Sequence, residues 1–241
     1  MSQPSSSCSA CSVRHRALCG ALSNEELTAL NSISRHRKVL AGQTIMGDEE
    51  KPDFFANVQS GVVKLTKTLP DGRQQIVGLQ FASDFLGRPF GDRSPFFADA
   101  ATDVELCCYP TRKFEELMKQ FPHIEHNLFE HTLDELDAAR EWMVLLGRKT
   151  AEEKVASFLL LLANRSRQLG CSSLPDFNTA RFELPLTRAD MGDYLGLTIE
   201  TVSRQITRLK TRGLIRLEGG RMVFVPDVER LAATTEIDQG T

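Results

Sequence analysis

The sequence predicts an α+β chain with a small β-barrel or jelly-roll near its N-terminus, one long helix, and a winged helix-turn-helix at its C-terminal end. Three observations predict it. Glycines at 42, 47, 61, 72, 78, 87 and 91 punctuate short apolar runs between about Arg37 and Pro110, the spacing of a compact all-β domain. After Pro110 the apolar period becomes helical. Leu186 to Lys210 then carries two short helical patterns around Gly196, followed by a Gly-Gly hairpin signal at 219–220.

Length and charge bound the function classes. At 241 residues the chain can hold two cores. Its net charge of -3 excludes a wholly basic nucleic-acid coat, yet Leu197 to Arg216 holds five basic residues and one acid. The run Phe158 to Ala163 is far too short to span a bilayer, and the first residues are polar and serine-rich rather than signal-like. A cytoplasmic protein is the expectation.

Taken in order, Met1 to Ser7 reads as a disordered tail within a cysteine-rich segment, 1–22. Ser23 caps a short helix with Glu26 as box partner and Leu27, Leu30 and Ile33 facing inward. The barrel domain follows, 23–121, with Val62–Thr68 and Ile76–Phe81 as a hairpin around Leu69–Arg73. Phe114 and Leu117 begin a short helix that Pro122 interrupts.

The long helix, 122–147, places Phe129, Thr132, Leu136, Ala139, Met143 and Leu146 at alternating steps of three and four. That is a coiled-coil seam, and it predicts a homodimer interface. Leu128, Leu133 and Leu145 lie off the seam and are free to pack on the chain's own strands. Gly147–Thr150 reads as a hinge, Ala151–Leu169 as a helix with Val155, Phe158, Leu159 and Leu162 inward, and Gly170–Thr179 as a loop. The DNA-binding domain is expected over 148–230 and a flexible tail over 231–241.

Within that last domain, Thr187 and Asp190 form a capping-box start, and Met191, Tyr194 and Leu195 make an apolar face. Gly196 ends the first helix, and Thr198 caps the second with Glu200 in its first turn. Val202, Ile206 and Leu209 must face inward, leaving Glu200, Thr201, Ser203, Arg204, Thr207 and Arg208 outward. An acid, hydroxyls and arginines beyond a glycine turn are what a major-groove reader needs. Arg204 suits guanine O6/N7 and Glu200 suits cytosine N4, while Thr201, Thr207, Arg208 and Lys210 are better placed for phosphates. Leu214–Val225 is the wing.

The chain has six cysteines: Cys8, Cys11, Cys19, Cys107, Cys108 and Cys171. Three crowd into the first nineteen residues, and three soft ligands on one flexible segment suit an iron–sulfur cluster or zinc. Zinc would draw on His15 as its fourth ligand. A four-iron cluster needs a fourth cysteine. In a strand, Val104, Leu106 and Cys108 share the buried face, while Glu105 and Cys107 share the outer one, where a terminal segment can dock. Alternation thus selects Cys107 and leaves Cys108 in the core.

The order of barrel, seam helix and winged helix-turn-helix resembles the cyclic-AMP receptor/FNR (CRP/FNR) superfamily of transcription regulators over nearly the whole chain. The run "LTIETVSRQITRLK" is similar to its recognition helix, with Glu200, Ser203 and Arg204 on the base-reading positions. The cysteine pattern resembles the oxygen-sensing FNR branch. Arg14–Arg16, Cys107-Cys108 and "TLDELDAAREWMVLLGRKTA" are similar to the alphaproteobacterial FnrL group. The resemblance implies that the barrel is a β-roll of the cyclic-nucleotide-binding type. It implies that Cys8, Cys11, Cys19 and Cys107 hold a [4Fe-4S] cluster without oxygen, and that the loaded protein dimerises along the long helix. It further implies binding to a TTGAT-N4-ATCAA-type palindrome, contact with RNA polymerase, and activation of anaerobic and microaerobic genes. Oxygen would convert the cluster to [2Fe-2S], then destroy it and part the dimer. Asp134, Glu135, Asp137 and Glu141 crowd acids near the expected two-fold axis, and their repulsion would keep the cluster-free seam weak.

One position departs from the superfamily. Its cyclic-nucleotide binders carry an acid after Gly-Asp-Phe-(Ile/Leu)-Gly, where this chain has Ser83-Asp84-Phe85-Leu86-Gly87 followed by Arg88. Arginine cannot accept from a ribose hydroxyl. Arg93-Ser94 is only a faint phosphate clamp, so no cyclic nucleotide is expected. A cluster-free regulator gated by cysteine redox or a small ligand is the alternative. An enzyme is not expected, since no phosphate-binding glycine motif, ferredoxin cysteine run or catalytic constellation appears.

Overall fold

A computed structural model describes residues 8, 11–48, 51–168 and 178–235. Cys171, with most of the loop expected around it, lies outside the described residues, as do 1–7 and 236–241. The chain divides into two compact units, Met1–Ala139 and Arg140–Thr241.

The first unit is built on a jelly-roll. Helix α1 (Asn24–Ile33) opens with both halves of the Ser23–Glu26 capping box. Eight strands follow: β1 (Arg35–Val39), β2 (Thr44–Met46), β3 (Phe54–Ser60), β4 (Val63–Thr68), β5 (Gln74–Gln80), β6 (Phe85–Leu86), β7 (Phe97–Ala100) and β8 (Val104–Pro110). They form two four-stranded antiparallel sheets, ordered β1-β8-β3-β6 and β2-β7-β4-β5. Period-two alternation sends Ala56, Val58, Val104, Leu106 and Cys108 into the barrel core.

The other face of the first sheet carries a second core. Phe55, Cys107 and Tyr109 pack there with Leu18, Cys19 and Leu22 of the N-terminal segment, and with Leu27 and Leu30 of α1. The expected boundary at residue 22 is therefore not a domain boundary. Burying Leu18 and Leu30, each 1% exposed, is worth roughly 1.5–3 kcal/mol apiece. That is ample reason for the segment to join the unit instead of standing apart.

Helix α2 (Thr111–Gln120) adds Phe114 and Met118 to this core. Helix α3 (Pro122–Arg148) starts on its proline, whose missing N–H costs nothing in a first turn. Ile124 and Leu128 of α3 pack on the same cluster. Leu145, off the seam, is buried, but Leu133 is 43% exposed and joins the outward face. Of the seam positions, Phe129 is 56% exposed, Leu136 42% and Met143 68%; Thr132 and Ala139 are also exposed, and Leu146 is half-buried. The helix runs through Gly147, so the expected hinge begins later, where Thr150 and Glu153 cap α4 (Ala151–Gln168).

The second unit contains two elements that periodicity does not reveal. Strand β9 (Ala180–Glu183) pairs with β11 (Met222–Val225), which pairs with β10 (Arg216–Glu218), so the wing is one side of a three-stranded sheet. After α5 (Arg188–Leu195), α6 (Ile199–Thr211) and the wing comes α7 (Val228–Ala233), capped by Asp227. It runs past the tail boundary expected at residue 230, because Leu231 is fully buried and holds it down.

Candidate cysteine site and nucleic-acid interface

The cysteine site is assembled across the outer face of the first sheet. On central strand β8, Cys107 lies opposite His36 of β1 and Asn57 of β3. Over this row folds the N-terminal segment, a succession of turns from Cys11 to Gly20 that ends in a short 3-10 helix, Leu18–Gly20. Gly20 is required by close approach: a Cβ there would lie 2.9 Å from the carbonyl oxygens of both Arg14 and His15. The outcome is a cavity of about 230 Å³ lined by Cys8, Cys11, Cys19 and Cys107. Cys108 points into the barrel core, and His15 is exposed and does not line the cavity.

The electrostatics show how tightly the thiols are grouped. Burial, then Cys11 and Cys8, push Cys19 up to about 12. Cys107 is raised chiefly by burial, with Cys8 and Cys11 adding to it, while a hydrogen bond from Tyr109 works the other way. Cys8 is raised by burial and by Cys11, and its thiol donates to Asn31 Oδ1 at 3.1 Å. Cys108, pushed up to about 11, owes this mainly to burial. No disulfide joins the five described cysteines.

Cys8, Cys19 and Cys107, whose thiols resist ionising chiefly through burial, share the cavity with Cys11, and such a group fits a cationic thiolate-binding centre that supplies the missing positive charge. No three His, Cys, Asp or Glu side chains among the described residues converge as ligands of a single ion. The thiols instead surround a space several times the roughly 30 Å³ of one water molecule. Four thiols on one cavity are a donor set that a polynuclear cluster uses.

Three polar side chains at this site escape sequence reasoning. Asn57, only 2% exposed, places Nδ2 at 3.1 Å from Tyr109 Oη and 3.9 Å from Cys19 Sγ. Gln59 places Nε2 at 3.8 Å from Cys11 Sγ. Tyr109 donates to Cys107. The alternation Phe55, Asn57, Gln59 against Ala56, Val58 is visible in the sequence, but only the docked segment makes its polar members meaningful.

The first unit also holds a cavity of about 540 Å³, lined in part by Phe85, Arg88, Phe96, Phe129 and Glu135. Glu135 accepts from Gln80 Nε2 at 3.3 Å and lines this cavity. It is thus turned to the barrel and does not join the acids expected at the seam.

In the second unit the reader is built locally. The Thr187–Asp190 capping box is complete. Gly196, at φ 63° and ψ 42°, takes the left-handed turn that ends α5, and Thr198 accepts from Thr201 N to start α6. Val202, Ile206 and Leu209 are buried, and so is Gln205. Tyr194 stacks on Trp142 at 4.1 Å and meets Phe158 edge-on at 5.6 Å. Arg221 of the wing donates to the carbonyls of Leu184 and Pro185, clamping the entry to α5.

Glu200, Ser203, Arg204, Thr207 and Arg208 are exposed along α6. Thr201 is half-buried and engaged in the cap, and Arg208 is held by Glu152 at 3.1 Å. Arg204 has no hydrogen-bond or ion-pair partner among the described residues.

A helix-turn-helix with a wing and an unpaired outward arginine, behind a β-roll and a long helix, is the architecture of one regulator family. Residues 36–121 match the cyclic nucleotide-binding domain family and 153–234 the Crp-like helix-turn-helix domain family.

The chain belongs to the CRP/FNR family of transcription regulators.

It is 50% identical over 225 residues to the transcriptional activator protein FnrL of Cereibacter sphaeroides, covering 93% of this chain and 90% of that one. It is 49% identical over 224 residues to a probable transcriptional activator of Rhizobium leguminosarum bv. viciae, covering 93% and 91%. The solved structure of FixK2 from Bradyrhizobium japonicum matches with a TM-score of 0.75 at 31% identity, over 85% of this chain and 98% of that one. This CRP/FNR regulator is thus an activator of the FnrL and FixK type. No described helix is long and apolar enough to cross a membrane.

Proposed function

We propose that this regulator is an oxygen-responsive activator in which Cys8, Cys11, Cys19 and Cys107 hold a [4Fe-4S] cluster. The observation that carries the reading is the meeting of these four thiols on one cavity, although Cys107 lies on a strand far along the chain from the other three. When bound, the cluster supplies oxygen-labile iron–thiolate bonds. The chain's own residues do the rest. Leu18, Leu22 and α1 anchor the cysteine segment on the sheet. The outward face of α3, with Phe129, Thr132, Leu136, Ala139 and Met143, is the surface through which two copies pair. Asp134, Asp137 and Glu141 stand on the same exposed stretch and oppose pairing until segment docking tips the equilibrium. Pairing sets two α6 helices about one DNA turn apart, matched to a TTGAT-N4-ATCAA-type palindrome. There Arg204, Glu200 and Ser203 read bases, Thr201 and Arg208 approach the backbone, and the DNA-bound dimer meets RNA polymerase.

Purification without oxygen tests the reading. The expected product is a brown dimer with iron and sulfide each near four per chain, which bleaches in air and then loses the palindrome. A colourless anaerobic protein that still binds the palindrome overturns it. The 540 Å³ cavity favours a second reading, a gate worked by a small ligand. Arg88 in its lining argues against a cyclic nucleotide, and added cyclic AMP should leave DNA binding unchanged.

A further inference from the structure

Strand β3 does more than complete the sheet under the cysteine segment. Its outer face presents Asn57 and Gln59 to the cavity, and both aim side-chain N–H groups at cysteine sulfur. Asn57 lies directly across from Cys107 in the β3–β8 ladder. Gln59 sits where the ladder slips: Val58 pairs with Leu106 and Ser60 with Glu105, so Gln59 is the extra residue of a bulge. Bulges re-aim side chains, and this one sends Gln59 Nε2 toward Cys11.

The amide orientations are set by their other partners. Gln59 Oε1 lies 2.9 Å from His36 Nδ1, which leaves the Nε2 end for Cys11. Asn57 Nδ2 is shared between Tyr109 Oη at 3.1 Å and Cys19 Sγ at 3.9 Å, and Tyr109 in turn donates to Cys107. Asn57 Oδ1 is buried without a hydrogen-bond partner. Burying an amide in this way is costly. At 2% exposure, this polar side chain sits against Cys19 and Tyr109.

We propose that Asn57, Gln59 and Tyr109 form a preset cradle of donors to the sulfurs of Cys19, Cys11 and Cys107, and that this cradle sets the reduction potential and lability of the cluster. The inference rests on the cluster reading above. As thiols, these sulfurs are weak acceptors at long range. As thiolates they carry charge, and the same N–H and O–H groups become charge-assisted donors. Hydrogen bonds to ligand sulfur are one of the levers a protein holds over cluster potential. They favour the more negatively charged state of the iron–thiolate unit. Asn57, Gln59 and Tyr109 are positioning and tuning residues, since each acts through a cysteine.

The test uses full-length protein purified without oxygen, with iron and sulfide counted first. Resonance Raman spectra of the wild type in water and in deuterium oxide read N–H···S and O–H···S bonds directly. The iron–sulfur(cysteine) stretches should shift on deuteration. Gln59→Leu, at a half-buried bulge that tolerates change, should diminish that shift and make the midpoint potential more negative. It should also speed cluster loss to a chelator by about 10-fold or more, the usual cost of removing an outer partner of a ligand. Asn57→Leu should do the same more strongly, and the Gln59 variant stands alone if the fully buried Asn57 proves necessary for folding. Absence of a deuteration shift in the loaded wild type overturns the cradle, as does a loaded Gln59→Leu with unchanged potential and chelator kinetics. A wild type that holds no iron or sulfide fails differently: it removes the cluster reading, and this inference with it.

Discussion

The caps and the turn that start the reader helix lie in one short stretch, whereas the four thiols are gathered from the N-terminal segment and from β8. In the reader, Thr187, Asp190, Gly196 and Thr198 each act within a few residues of where they stand, and the buried face of Val202, Ile206 and Leu209 then seats α6. At the cysteine site local turns are not enough. Cys107 becomes a neighbour of Cys19 only because Leu18, Leu22, Leu27 and Leu30 bury themselves against Phe55 and Phe114. The start and the turn of the reader are therefore specified locally. The cysteine site is a docking event, held by roughly the burial energy of a few leucines. In the switch proposed above, the input thus depends on long-range packing and the output on locally specified caps and turn.

The comparison breaks most visibly at Cys107. Cys107→Ser should abolish the iron and sulfide content and the air-bleached absorption, while α4 to α7 keep their fold by circular dichroism. Cys108→Ser should keep the cluster, since Cys108 faces the barrel core. The reverse pattern would show that the strand faces are misassigned. Next in size is Arg204→Ala, an output lesion. Loss of one bidentate base contact should weaken palindrome binding by about 1–3 kcal/mol, roughly 5-fold to 150-fold, and relax preference at one base pair, with iron content unchanged. An equal loss on random DNA would make Arg204 a phosphate contact instead.

Smaller effects sharpen the contrast. Thr187→Ala removes a cap and should lower stability of the reader unit by about 1 kcal/mol in chemical denaturation, leaving the cysteine site untouched. The smallest is acid sensitivity confined to the first unit. Burial opposes ionisation of Glu26, but the Ser23 amide and hydroxyl and His123 outweigh it and hold the carboxyl below its ordinary range. Its contribution is complete above the unfolded value of about 4.3 and is lost as pH falls through the lower folded value. Glu26→Gln, which can still cap α1, should flatten that part of the pH profile for unfolding of the first unit.

Much of this molecule can be read from its sequence, and what was legible shares one property. Caps, the glycine turn, the inward stripe of α6 and the opposite faces of Cys107 and Cys108 all follow from backbone period and near-neighbour chemistry, which the sequence carries explicitly. Residue period also exposes the outward apolar stripe of α3, although not that Leu133 would join it or that Glu135 would turn to Gln80. The elements that escaped are those stabilised from afar. Strand β9 exists because β11 offers it a ladder, and α7 because Leu231 finds a core. Asn57 and Gln59 are ordinary strand residues until the N-terminal segment lies over them. The sequence by itself determined the reader helix and the stock of thiols. Only the tertiary structure decided which thiols meet and which amides face them, because burying a few leucines, rather than any local preference, brings the two ends of the first unit together.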